Sequence, residues 1–159
     1  MALSVNLSWD KAISLGTRKT FEKKCNAVID DLPDDPGIYV FARKFGKALI
    51  PIYIGQASNG LRARLKQQFD SVKLMNAVKA EKTGGRVLLL GRVKLLKNQK
   101  LADVLNVAEK AHIEHALTAG YPLVNIKGTK TKRHSVLVAG PKAQNHPFPR
   151  LMYLAVKNG

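Results

Sequence analysis

Cysteine is almost absent from this chain, which contains only Cys25. A single thiol cannot build an internal disulfide framework, and it cannot supply a cysteine-based zinc site of the usual spacing. We expect Cys25 to be a buried apolar residue without a chemical role.

Long apolar runs are also missing. No stretch approaches the roughly eighteen consecutive apolar residues of a membrane-spanning helix. Residues 1–10 lack the basic start and apolar core of a classical export signal. We therefore expect a soluble, cytoplasmic protein with no membrane partner. Delivery as a toxin, by a machine that needs no signal peptide, is an alternative that the sequence leaves open.

Acidic residues are few. The chain has 11 Asp and Glu against 27 Lys and Arg, which gives a formal net charge of +16. Such an excess of positive charge favours an anionic partner, and counterion release makes nucleic acid the default among the possible polyanions. Charge alone leaves a ribosomal or architectural protein as an alternative to an enzyme.

The 159 residues are expected to form a single domain with its own apolar core. Apolar periodicity predicts helices from about residue 17, after Gly60 and at 101–119, and strands at 38–45, 49–54, 87–96, 135–139 and 151–156. The helix after Gly60 is expected to place Leu61, Leu65, Phe69 and Val72 on one stripe. This order of elements predicts an α+β fold with a small, mainly antiparallel sheet.

Two tripeptides, Gly37-Ile38-Tyr39 and Tyr53-Ile54-Gly55, lie on the two strands that the sequence predicts to form a hairpin. Arg64 follows in a basic helix. Phosphodiester cleavage requires an oriented water, an acceptor for its proton and positive charge on the phosphate. A phenol, a guanidinium and a metal-bound carboxylate could supply these. Carboxylates in a suitable place are scarce, and Glu109 and Glu114 are the two glutamates inside the helix that follows the third predicted strand.

The ordered set of motifs over residues 32–127 resembles the GIY-YIG endonucleases. The two tripeptides stand in the family's order, the run Leu61-Arg62-Ala63-Arg64-Leu65 resembles its arginine-bearing helix, and Glu109 and Asn125 resemble its later motifs. The resemblance implies a three-stranded antiparallel sheet flanked by helices. It also implies one Mg²⁺ (or Mn²⁺) ion and hydrolysis of DNA that leaves a 5′-phosphate. Residues 1–31 would be a helical extension, and residues 128–159 a basic loop followed by strands.

The resemblance also implies catalytic roles. Tyr39 would act as or assist the general base, Tyr53 would hold the attacking water or the phosphate, and Arg64 would neutralise the scissile phosphate. Glu109 would bind the metal ion, and Asn125 would position Glu109 or cap a turn. Each residue also has an ordinary structural interpretation: a packed strand tyrosine, an exposed basic residue, a solvated glutamate or a capping asparagine.

The chain departs from the family pattern in several places. Many members have a histidine four residues after the catalytic arginine, where this chain has Gln68, which cannot shuttle a proton. A longer interval after Tyr53 makes Arg62 a second candidate for the arginine. Glu114 is a second candidate for the metal. His112 is expected to be structural, since Mg²⁺ prefers oxygen ligands.

The basic residues outside these motifs predict a grip on the phosphate backbone on both sides of the site. The candidates are Arg62, Lys66, Lys73, Lys130, Lys132 and Arg133. A solvated loop is the competing interpretation of the last three.

The sequence is compatible with three candidate functions. The first is a stand-alone DNA endonuclease of restriction, phage, mobile-element or toxin type, and the second is a structure-specific nuclease of repair or recombination. The third is a non-catalytic nucleic-acid-binding protein on the same scaffold. The intact set of five catalytic candidates argues against the third. RNA as the substrate, and a monomer or a homodimer on DNA, are left open by the sequence.

Overall fold

The computed structural model describes residues 2–80, 83–124, 133–137, 139–141 and 151–155. The strands are β1 Asn6–Trp9, β2 Ile13–Ser14, β3 Gly37–Phe45, β4 Ala48–Ala57, β5 Gly85–Lys94, β6 Arg133–Leu137 and β7 Leu151–Ala155. The helices are α1 Phe21–Val28, α2 Leu61–Phe69, α3 Val72–Lys79 and α4 Leu101–Thr118, with a 3-10 turn at Ile29–Asp31. The predicted α+β class with a mainly antiparallel sheet is confirmed.

The main sheet is built around β3, which pairs antiparallel with β4 on one side and with β5 on the other. In the described residues this sheet has five strands, because β1 and β2 both pair with the far edge of β5. The three strands of the prediction, β3, β4 and β5, are thus part of a larger sheet in which β4 forms one edge. The two added strands come from residues 1–31, for which only a helix was predicted. They are four and two residues long, too short for alternation to identify, and pairing with β5 holds them in place.

The β3–β4 hairpin sets the register of the two tripeptides. Phe45 pairs with Ala48 across a short turn, and Gly46 in that turn has a φ of 61°. A bulge then shifts the register between Phe41 and Ala42. Beyond it, Tyr39 lies opposite Gly55. The bulge lies next to the proline of β4. Both are tolerated because β4 is an edge strand of the sheet.

The sheet is covered on both faces, because successive side chains of a strand point to opposite sides. On one face Tyr39 and Phe41 belong to the largest apolar cluster, which includes residues of α1, α2 and α3: Phe21, Cys25, Leu61, Leu65, Leu74, Met75 and Val78. On the other face Val40 and Ile54 pack against Ile113 and Ala116 of α4. This arrangement explains why β3 is a nearly continuous buried run.

The helical segment after Gly60 is two helices and not one. α2 ends at Phe69, and Ser71 begins α3, where its Oγ accepts a hydrogen bond from the backbone N–H of Leu74 at 3.4 Å. A serine in this position favours a new helix start over a continued helix. The prediction that Val72 extends the apolar stripe is therefore wrong, and its side chain is 73% exposed.

The remaining elements lie near their predicted positions. α4 ends at Thr118, and Gly120 follows with a φ of 85°, a conformation that favours glycine after a helix. β6 and β7 pair with each other as a separate two-stranded sheet. Among the described residues, none of the helices combines the length and the apolar character needed to cross a membrane.

Candidate active site

A cavity of about 520 Å³ opens beside β4. We call it the β4 cavity. Its lining comes from both sides of the sheet, since α2 and α3 cover one face and α4 covers the other. The lining residues are Tyr53, Ile54, Gly55, Gln56, Arg64, Gln68, Ser71, Lys73, Leu74, Ala77, Glu109 and Val124. The structure thus brings Tyr53, Arg64 and Glu109 to one opening, although they are far apart in the sequence.

Tyr39 lies directly behind this cavity. Its side chain is fully buried, and its phenol oxygen accepts a hydrogen bond of 2.6 Å from Nε2 of Gln68. The Tyr39 ring stacks on the ring of Tyr53 with 6.2 Å between centroids and an angle of 27°. Gln68 and Tyr53 both line the cavity. Tyr39 therefore contacts two residues that line the cavity, although it does not line the cavity itself.

Burial controls the protonation of Tyr39. Loss of solvent raises the pKa of its phenol from 10.0 to about 12, and the neighbouring Tyr53 adds to the rise. The amide of Gln68 and the guanidinium of Arg64 lower the pKa and offset part of this effect. At neutral pH the protein alone therefore holds Tyr39 as a neutral phenol, with two groups beside it that favour the phenolate.

The two glycines of the tripeptides are explained by close approach. A Cβ at Gly55 would collide with the Oη and Cζ atoms of Tyr39, so only glycine leaves room for this ring. A Cβ at Gly37 would collide with the carbonyl oxygen of Gly91 on β5. One glycine thus seats the tyrosine, and the other allows β5 to pair closely with β3.

Arg64 and Glu109 line the cavity from different helices. Arg64 is exposed on α2, and its Nη1 donates a 3.2 Å hydrogen bond to Oε1 of Gln67. Glu109 is half-buried on α4. One turn before Glu109, Asn106 accepts a hydrogen bond of 2.9 Å from Gln56, which ties α4 to the end of β4. This bond helps to keep the Glu109 carboxylate beside β4.

The donor set fits a magnesium ion held mainly by its substrate. Within the described residues, no group of three or more His, Cys, Asp and Glu side chains could enclose a metal. Among the described residues that line the cavity, Glu109 is the one carboxylate. Mg²⁺ is commonly bound by one or two carboxylates, with water and substrate phosphate as its other ligands. A single glutamate beside an arginine suits this mode of binding.

The second-choice candidates lie elsewhere. Arg62 turns toward the acidic turn at residues 30–35, where its Nε donates to the carbonyl of Leu32 at 2.8 Å and its Nη1 lies 3.4 Å from Asp34. Nδ1 of His112 lies 2.7 Å from the carbonyl oxygen of Ala108, and the His112 ring packs edge-on against Trp9. Arg62 and His112 are absent from the lining of the β4 cavity. Their contacts are those of structural residues.

The other predicted residues differ in where they lie relative to the cavity. Glu114 is exposed on α4 and does not line the cavity, whereas Lys73 is exposed and does. Lys66 is exposed on α2 outside the lining. Arg133 begins β6. Three predicted residues lie outside the described part of the chain, namely Asn125, Lys130 and Lys132.

Comparisons with protein-family models, with curated proteins and with solved structures found no match to this chain. The resemblance to the GIY-YIG endonucleases therefore stays a prediction. Its support consists of the motifs themselves and of the cavity at which three of the five catalytic candidates meet.

Sequence reasoning missed part of this site. Gln56, Ser71, Leu74, Ala77 and Val124 also line the cavity. Gln56 directly follows the second tripeptide, so its position next to the site could have been inferred. The three residues of the α3 segment offered no such signal, because their place depends on the break after α2.

Proposed function

We propose that this protein is a Mg²⁺-dependent endonuclease that hydrolyses phosphodiester bonds of DNA by a GIY-YIG mechanism. The observation that carries the proposal is the meeting of Tyr53, Arg64 and Glu109 at the β4 cavity, with Tyr39 directly behind it. These groups are a phenol pair, a guanidinium and a carboxylate, which together could supply the proton transfer, the metal ligand and the positive charge that phosphodiester hydrolysis requires.

Arg64 binds the scissile phosphate in this proposal. A guanidinium presents several N–H donors in one plane and matches two phosphate oxygens at once. Because Arg64 is exposed on α2, its side chain is free of burial against the core and can approach a backbone at the cavity mouth. Positive charge there stabilises the extra negative charge that develops on the phosphate in the transition state.

The two tyrosines have different roles toward the attacking water. Tyr53 lines the cavity and holds the attacking water or a phosphate oxygen with its phenol. Tyr39, stacked behind it, assists removal of the proton. Burial opposes this role by raising the pKa of Tyr39 to about 12, so the Gln68 N–H and the Arg64 charge must stabilise the phenolate.

Glu109 holds the divalent ion. Mg²⁺ or Mn²⁺, when bound, supplies positive charge to the phosphate oxygens and to the leaving oxygen. The half-buried carboxylate is kept in place by α4, which packs its apolar side on the sheet and is tied to β4 through Gln56. The fold of the family, with β3, β4 and β5 as its three strands, is part of the same proposal.

The test is incubation of supercoiled plasmid with the purified protein in Mg²⁺ and in EDTA. We expect nicked or linear DNA in Mg²⁺ only. Glu109→Gln should lower the rate by at least about 100-fold, because it removes the charged ligand of the ion. Asp103→Asn is the matched control, since Asp103 is exposed on the same helix and does not line the cavity.

The outcomes separate the alternatives. Loss of cleavage in Glu114→Gln but not in Glu109→Gln would transfer the metal site to the other carboxylate. Cleavage of branched DNA but not of plasmid would favour a repair or recombination nuclease. Binding without cleavage of plasmid, branched DNA or RNA would replace the proposal with a binding module on the same scaffold.

A further inference from the structure

The β4 cavity contains more than the residues that the reaction requires. Ser71, Lys73, Leu74 and Ala77 form one wall of it, which we call the α3 wall. Leu74 belongs to the apolar core and is 8% exposed, and Ala77 is half-buried. Ile54 and Val124 add apolar surface from the β4 side. A phosphate group and a hydrated ion are polar, so contact with such an apolar surface does not stabilise them.

The size of the cavity also exceeds what a phosphate needs. Its volume of about 520 Å³ falls in the range of about 300–1,000 Å³ that is typical of sites for small organic ligands. Such sites combine apolar walls with a few polar groups that fix orientation. The α3 wall has this character, with Ser71 and Lys73 beside Leu74 and Ala77.

The basic residues of the lining favour an anionic ligand, and the apolar wall favours a ligand that also has an apolar part. Arg64 and Lys73 both line the cavity, and Glu109 is the carboxylate that accompanies them. A nucleotide combines phosphates with a flat base that is largely apolar on its faces. The ring of Tyr53, which also lines the cavity, offers such a base an aromatic neighbour.

We propose that the α3 wall seats the base of the nucleotide next to the scissile phosphate. In an intact duplex each base is stacked and paired inside the helix, so it can enter a cavity only after it leaves the stack. Single-stranded or locally unpaired DNA presents such a base without this cost. The preferred substrate is therefore DNA with an unpaired nucleotide at the cleavage site. The inference rests on the proposed function and specifies its substrate.

This preference runs against simple electrostatics. A basic protein that binds only through phosphates favours the duplex, which carries the higher charge density and releases more counterions for each phosphate that is neutralised. Tighter binding of a single strand by a chain of net charge +16 would thus require contacts to the bases.

The test uses binding, so that it does not depend on cleavage. Full-length protein carrying Glu109→Gln is titrated in Mg²⁺ against three fluorescein-labelled oligonucleotides while anisotropy is recorded. These are a single strand, its perfect duplex, and the same duplex with a central unpaired loop. We expect the single strand and the looped duplex to bind at least about fivefold more tightly than the perfect duplex, the lower end of a base-stacking contribution.

Ala77→Leu, added to the same protein, tests the location. A larger side chain on the α3 wall should remove most of the preference while binding of the perfect duplex changes by less than about twofold. Ala111→Leu is the control, because Ala111 is exposed on α4 and does not line the cavity. Thermal melting of each variant shows whether it is folded.

The results are decisive in both directions. Equal or tighter binding of the perfect duplex overturns the inference, whether or not Ala77→Leu folds. A preference that survives in folded Ala77→Leu also overturns it, because the base would then lie elsewhere. Tighter binding of single-stranded RNA than of DNA overturns the choice of DNA. Wild-type cleavage of plasmid without any preference would leave the endonuclease intact, and a preference without cleavage would leave only the base-binding wall.

Discussion

Tyr39 shows how much one side chain depends on its immediate neighbours. Gly55 leaves the space that its ring occupies, Tyr53 stacks on that ring, and Gln68 donates a hydrogen bond to its oxygen. The same burial raises the pKa of its phenol to about 12. A residue proposed to assist a proton transfer is therefore held neutral by the structure that positions it.

Replacement of this tyrosine should change the pH dependence of stability. The pKa of Tyr39 rises from 10.0 to about 12 on folding, so its contribution is fully present below pH 10 and is lost as the pH rises toward 12. The loss corresponds to roughly 3 kcal/mol of unfolding free energy at the upper end of this range. Tyr39→Phe removes the titrating group, and its stability should fall less steeply above pH 10. Urea unfolding of both proteins between pH 8 and 11.5 measures the difference.

The same variant should behave differently at neutral pH. Without the phenol oxygen, Nε2 of the buried Gln68 loses its acceptor, which costs about 1–3 kcal/mol. Tyr39→Phe should therefore be less stable than the wild type at pH 7. The difference between the two proteins should shrink as the pH rises. Parallel stability curves from pH 8 to 11.5 would contradict the assigned rise in pKa.

At the scale of elements, α3 is held at both of its ends. Ser71 caps its start through the backbone N–H of Leu74. At its other end the fully buried guanidinium of Arg86 on β5 donates to the carbonyl of Val78 at 3.2 Å and to that of Lys79 at 3.2 Å. It also donates to the carbonyl of Gly84 at 2.8 Å in the loop that leads into β5. One arginine thus fixes the end of the helix whose other residues form the α3 wall.

Removal of this arginine should be costly. Arg86→Met keeps much of the side-chain volume but leaves several buried carbonyls without a charged donor. We expect the free energy of unfolding to fall by roughly 3 kcal/mol or more. Arg92→Met is the matched control on the same strand, because Arg92 is 44% exposed and its ion pair with Asp10 lies near the surface. Urea unfolding at pH 7 provides the measurement, and equal losses in the two variants would contradict the role assigned to Arg86.

For the whole molecule, part of the positive charge is neutralised by described ion pairs. Asp34 lies near Arg62, and Arg92 lies near both Asp10 and Asp35, so three of these pairs lie at the acidic turn and the neighbouring end of β5. A further pair joins Lys79 at the end of α3 to Glu22 on α1. Arg64 and Lys73 lie instead at the β4 cavity. The uneven distribution favours approach of a polyanion to the cavity over approach to the acidic turn.

The predicted basic loop can be tested by the salt dependence of DNA binding. Neutralisation of Lys130, Lys132 and Arg133 to Gln should lower the slope of log affinity against log salt by up to about 2.7 for duplex DNA, at about 0.9 for each phosphate that is no longer neutralised. Three exposed lysines around α1 provide a control with the same charge change, namely Lys19, Lys23 and Lys24. Anisotropy titrations at several salt concentrations give the slopes. An unchanged slope in the loop variant would mean that these residues are solvated and bind no phosphate.

Local sequence determined most of the elements. Strands β3, β4 and β5 were predictable because they are short runs of apolar, strand-favouring residues bounded by turn residues, and α4 because its apolar residues recur at helical spacing before Gly120. The motifs could also be read directly, since Tyr39, Tyr53, Arg64 and Glu109 stand at recognisable intervals. Ser71 carried a local signal for the break between α2 and α3, but the apolar spacing through Val72 favoured one long helix.

Tertiary structure alone decided what those residues surround. The pairing of β1 and β2 with β5, the burial of Tyr39 against Gly55, and the opening shared by Arg64 and Glu109 all join segments that are distant in sequence. The α3 wall is of the same kind, because it faces residues of β4, α2 and α4 across the cavity. The apolar periodicity of a sequence indicates which face of a helix or strand is buried. A cavity forms where the faces of several elements leave a gap between them, and this depends on the tertiary structure. The residues of the proposed chemistry could therefore be chosen from the sequence, whereas the cavity at which they would act could not.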